Sequence, residues 1–121
     1  MSVRSINASN WSRCASMVGV IFMDSPILIH AVLVWAGFGL GIAPNRDGSR
    51  LMQQFGATNA ERLLPIIKKL EEDFYSSDAR FMASNIDEMG KLATEHFKRI
   101  HPEVANEIAR VFAWCYTFDF K

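Results

Sequence analysis

Only three charged side chains, Arg4, Arg13 and Asp24, precede residue 45, and the other twenty-three occupy the seventy-seven positions from Asn45 onward. A chain whose first third carries almost no charge must hide that third, in its own core or in a lipid bilayer. At 121 residues it is read as one domain, 1–121, long enough to bury roughly two-thirds of its unfolded surface without metals or disulfides. Within it, 1–44 is the nearly uncharged segment and 45–121 the amphipathic part.

From Asn45 the pattern is helical. "SRLMQQF" makes a short helix that stops at Gln54 or Gly56. Thr58 and Glu61 have the spacing of a capping box, and Leu63, Ile66, Ile67, Leu70 and Phe74 follow at intervals of three and four. Pro65 inside that pattern predicts a kink or a restart. Ser76, Ser77 and Asp78 offer the next helix caps. Met82, Ile86, Met89, Ala93, Phe97 and Ile100 then trace one apolar stripe. His101-Pro102 closes it, with Pro102 placed as the first residue of another helix, whose buried face is Val104, Ile108, Val111, Phe112 and Cys115. In "WCYTFDFK", Tyr116, Phe118 and Phe120 alternate with polar residues, as in a short strand or an extended tail.

The first third is more ambiguous. Trp11, Cys14, Val18 and Phe22 fit a helix, while "MVGVIFM" also suits a strand. Asp24, Ser25 and Pro26 form either a hairpin-like turn or an N-cap with proline at N1. The apolar run from Pro26 to Ala43 favours helix by its length, and His30 within it reads as a core histidine with one nitrogen hydrogen-bonded. Overall the chain reads as mainly α, a compact bundle of four to six helices. The uncharged third is its central element, and a short β-hairpin there is the main alternative.

"VLVWAGFGLGIAPNRDG" resembles a strand entering a phosphate loop, but its glycines, Gly37, Gly39 and Gly41, are spaced G-x-G-x-G. A dinucleotide fingerprint needs G-x-G-x-x-G opening a helix, and no lysine follows in P-loop spacing. The glycines therefore read as the end of a buried helix, and "NRDG" as an exposed turn. The competing explanation of the Pro26–Ala43 run is a transmembrane anchor, since about eighteen apolar residues are the lower limit for a span. Arginines flank it on both sides, at Arg4, Arg13, Arg46 and Arg50, so no orientation is indicated. Charges reaching to Arg13 argue against a cleaved signal peptide. Met23 is an alternative natural start, and the N-x-S sequons at Asn7 and Asn10 matter only in a secreted eukaryotic product.

Thirteen basic and thirteen acidic residues cancel, and without a basic run a nucleic-acid partner is not expected. Cys14 and Cys115 read as reduced, buried thiols. No HExxH, ExxH or GxSxG pattern occurs. His96 and His101 are five apart, and together with Glu95 and Glu103 they read as solvated residues at a helix junction rather than a metal site. No catalytic residue, metal ligand or cofactor is assigned.

The chemistry that remains is an acidic surface, Glu71, Glu72, Asp73, Asp87 and Glu88, beside an aromatic end, Tyr116, Phe118 and Phe120. The function expected is non-enzymatic protein binding in the cytoplasm, in the manner of a bacterial immunity or antitoxin protein whose acidic face meets a basic partner. The alternatives are an inner-membrane-anchored protein with a soluble helical domain, and a small metal-binding or enzymatic helical protein.

Overall fold

A computed structural model describes residues 25–41 and 43–121. The expectations for the Trp11–Phe22 segment, Cys14, the sequons, the Met23 start and a hairpin before Ser25 lie outside the described residues. Within them the chain is helical, in the order α1 (Pro26–Ala36), α2 (Ser49–Phe55), α3 (Ala57–Tyr75), α4 (Ala79–Met82), α5 (Ile86–Ile100) and α6 (Asn106–Phe120). No β-strand occurs among the described residues, and the one extended pairing is an isolated bridge between Phe38 and Gly41.

The helix α1 begins as an N-cap with proline at N1. Ser25 Oγ accepts the Leu28 amide at 3.2 Å, and Pro26 supplies a preset φ where no amide partner is needed. It ends at Gly37, whose φ of 70° is the left-handed conformation that spares a side-chain clash. A helix normally leaves its last four carbonyls without partners. Here all four are taken. Phe38 N–H donates to Leu33 O and Gly37 N–H to Val34 O; Asp47 N–H donates to Trp35 O and Asn45 N–H to Ala36 O. Arg50 doubles two of these, donating from Nε to Val34 O at 2.9 Å and from Nη2 to Trp35 O at 3.1 Å.

That stop cuts the apolar run. Eleven residues rise about 16 Å, roughly half a bilayer's hydrocarbon core. No helix among the described residues is long and apolar enough to cross a membrane. Instead Leu28, Ala31, Val32, Trp35 and Ala36 bury one stripe of α1. His30 is exposed on the other side, its ring edge-on to Phe55 with centroids 5.3 Å apart. The expected core histidine is thus a surface one.

Among the described residues α1 is not the centre of the bundle. The middle is an aromatic cluster from α3, α5 and α6: Phe74 lies 5.1 Å from Phe97, 5.9 Å from Phe112 and 5.7 Å from Tyr116 between ring centroids. Tilted and edge-on rings at these separations suit their quadrupoles. Trp35 joins this cluster through Phe112 at 6.1 Å, so α1 forms a wall.

Several local expectations are corrected. Helix α3 starts directly after Gly56, whose φ is 87°, and no side chain caps it, so the Thr58–Glu61 box does not form. It passes through Pro65 without stopping, its buried face being Ala60, Leu63, Ile67, Leu70 and Phe74. Met82 belongs to α4 and is exposed, and the stripe of α5 is Met89, Ala93 and Phe97. The cap of α5 is Asn85, whose Oδ1 accepts the Glu88 amide at 2.8 Å. Pro102 lies in a turn and α6 begins at Asn106. The expected strand or tail at the C-terminal end is the continuation of α6 to Phe120.

Candidate functional site

The acidic side chains nominated from sequence divide into paired and free. Glu71, 15 % exposed, has Oε2 2.6 Å from Arg46 Nε and Oε1 3.7 Å from Lys68 Nζ. Asp73, 17 % exposed, receives Lys69 Nζ at 3.0 Å and faces His101 Nε2 at 2.7 Å. Glu72 is 77 % exposed and only loosely paired with Lys69 at 3.7 Å. Asp87 is exposed, while Glu88 accepts the Ser84 amide, which holds its carboxyl below the usual range. The two acids closest to being buried are therefore neutralised within the fold.

Arg46, expected in an exposed turn, is instead the hub of a polar cluster. Its Nη2 donates to Tyr75 Oη and to Asp119 Oδ2, each at 2.7 Å, and Tyr75 Oη donates to the same Asp119 oxygen at 2.6 Å. Burial works against the Arg46 charge, but the Asp119 hydrogen bond and the facing Tyr75 outweigh it and raise its pKa further. Burial, then the bond to Asp119, pushes the Tyr75 phenol well above its ordinary value. Burial also pushes the Cys115 thiol up to about 11, with Arg46 opposing. This cluster ties the end of α6 to α3 and to the loop before α2.

His96 and His101 are partly buried and bonded, not simply solvated. Ser76 Oγ lies 2.7 Å from Asp73 O and 3.0 Å from His96 Nε2. The Ser76 hydroxyl thus lies between the Asp73 carbonyl and the His96 ring, and the imidazole tautomer sets which of the two receives its proton. His101 Nδ1 is 3.8 Å from Glu103. Among the described residues no group of three or more His, Cys, Asp or Glu is placed to hold a metal ion.

Of the aromatic end, Tyr116 is fully buried, its hydroxyl accepting the Arg80 amide at 3.1 Å and donating to Ser77 O at 3.4 Å. Phe118 and Phe120 are partly exposed. The most exposed aromatic side chain among the described residues was missed in the sequence. In α4, Phe81 is 74 % and Met82 72 % exposed. Arg80 sits between two rings, its guanidinium carbon 4.6 Å from the Phe81 centroid and 4.7 Å from that of Phe120. Phe120 in turn lies 4.8 Å from Tyr116. Ser77, buried, accepts the Ala79 amide at 2.9 Å and sets the first residue of α4. The patch is therefore mounted directly on the core. A sequence signal existed: "ARFM" lies between two cap-like positions, Asp78 and Asn85, in a segment too short to turn both large side chains inward.

An open groove of about 570 Å³ between α5 and α6 is lined by Asp87, Lys91, Glu95, Asn106 and Arg110 beside Gly90, Thr94, Ala109, Ala113 and Trp114, so the nominated Asp87 lies on its wall. Comparison of the chain with protein-family models, curated proteins and solved structures finds no match.

Proposed function

We propose that this chain works by binding another protein, and that the contact is made by Phe81 and Met82 of α4 together with Arg80 and Phe120. The observation that carries the proposal is the outward presentation of two large apolar side chains on a turn held by Tyr116 and Ser77. Adjacent exposed apolar side chains on a soluble surface mark interaction sites more often than chance allows. Covering a Phe and a Met is worth on the order of 3–6 kcal/mol together, before the costs of association. Aromatic and arginine side chains are also those that dominate binding energy where they cluster.

The narrower expectation, an immunity- or antitoxin-type inhibitor with an acidic face, has less to work with. Glu71 and Asp73 already answer Arg46, Lys69 and His101, which leaves Glu72 and Asp87 as the freer carboxylates. The apolar patch is the better supported contact.

A photo-crosslinking residue in place of Phe81, expressed in the chain's own cells, tests this directly. A discrete adduct with a second protein is expected from position 81 and not from exposed Gln53 on α2. Equal labelling from both positions, or none from 81, would remove the docking surface.

A further inference from the structure

Arg46 is answered by Glu71 and Asp119, and Arg50 by helix carbonyls and Asp47. Arg80 differs. Among the described residues it makes no ion pair, and its one side-chain hydrogen bond is a long one, Nη1 to Ser77 O at 3.4 Å. Asp78, the nearest acid in sequence, is not paired with it. Phe81 and Phe120 flank the guanidinium, so the donors that remain are those along its edge. A planar fork of donors flanked by apolar rings matches a carboxylate, which accepts two parallel N–H bonds. Once a partner covers Phe81 and Met82, water competes less for that contact.

Resting on the docking surface proposed above, we propose that the partner's contacting segment carries a carboxylate between apolar side chains, the carboxylate meeting Arg80 and the apolar groups covering Phe81 and Met82. A phosphate-rich partner is disfavoured by charge. The chain has zero net charge and presents a single arginine at this patch, whereas binding to a nucleic-acid backbone grows with the number of phosphates neutralised.

The test uses the full chain and two labelled eight-residue peptides, one alternating Asp with Leu and Phe, the other with Asn at every Asp. Fluorescence anisotropy is expected to show the acidic peptide binding about tenfold more tightly, the scale of one charge-assisted bidentate contact. Arg80→Gln should erase that difference, and Arg80→Lys should restore only part of it because the fork is lost. Unaltered circular dichroism and melting keep these variants interpretable. Equal binding of both peptides would overturn the carboxylate while leaving apolar docking intact. Binding of neither would overturn the inference. Sedimentation equilibrium covers the other occupants: self-association abolished by Phe81→Asp would assign the patch to a second copy and overturn the proposed partner. So would a crosslink from position 81 to residues 1–24 of the same chain.

Discussion

Asp73 Oδ2 and His101 Nε2 lie 2.7 Å apart, joining the last turns of α3 to the residue that caps α5. The contact spans twenty-eight residues of chain, and both side chains are mostly buried. It is one of the polar ties between helices that otherwise meet through Phe74 and Phe97. Asp73→Ala should therefore cost about 1–2 kcal/mol in urea unfolding, the range for a partly buried hydrogen bond to a charged group. A double-mutant cycle with His101→Ala should return a coupling of about 0.5–1 kcal/mol. A coupling near zero would mean that Asp73 acts through Lys69 alone.

The Arg46 cluster should respond unequally to its members. Arg46→Met leaves Glu71 and Asp119 without their shared cation and should cost about 2–3 kcal/mol, less than for a fully buried pair because all three groups keep some solvent contact. Asp119→Asn keeps an acceptor for Tyr75 and should cost about 1 kcal/mol or less. Denaturant unfolding of the two variants gives the order, and the reverse order would place the stabilisation in the Tyr75–Asp119 bond.

Helix caps give a direct contrast. Asn85→Ala removes the acceptor for the Glu88 amide and should lower stability by about 1 kcal/mol. Thr58→Ala touches no cap bond and should stay within about 0.5 kcal/mol of the parent. Thermal melts of the two variants decide between the capping box spaced in the sequence and the cap found at Asn85.

Alkaline pH should destabilise the fold. Burial raises the Cys115 thiol from 9.0 to about 11, so the folded chain keeps a proton that the unfolded chain releases. The contribution is fully present below pH 9 and is lost as pH rises from about 9 towards 11. Tyr75, also raised, acts in the same direction at higher pH. Urea midpoints measured across this range should fall, and less steeply in Cys115→Ala. Native Cys115 should also react slowly with disulfide reagents at pH 8 and quickly once unfolded.

Much of the helical frame was legible because its signals are local. Ser25-Pro26 starts α1, Gly37 stops it, "SRLMQQF" is α2, and the Leu63–Phe74 spacing marks the inner face of α3. The errors share a cause: periodicity loses information where a segment is apolar on more than one side. In α1 the buried positions are 28, 31, 32, 35 and 36, a helical stripe that leaves His30 outward, but an unbroken apolar run conceals which face it is. Tyr116, Phe118 and Phe120 alternate like a strand. On α6, however, Tyr116 and Phe120 share one face and Phe118 lies across from them. Met82 continued the α5 spacing through a turn that is not helical. The candidate site was less legible still. Arg46 meets Asp119 across seventy-three residues, and Arg80 meets Phe120 across forty; no spacing rule carries contacts of that range.

The closed set of carbonyls at the end of α1 separates the loop's base from its tip. Asn45, Asp47 and Arg50 fasten the returning chain to the helix it has just left, while Leu40 beyond them is three-quarters exposed. A peptide spliced between Gly39 and Gly41 would enter a ring already shut at its base. Each doubling of such a loop adds only about 0.6 kcal/mol of closure entropy. This tip is a graft point, where foreign sequence can be carried outside the bundle while the core beneath keeps its packing.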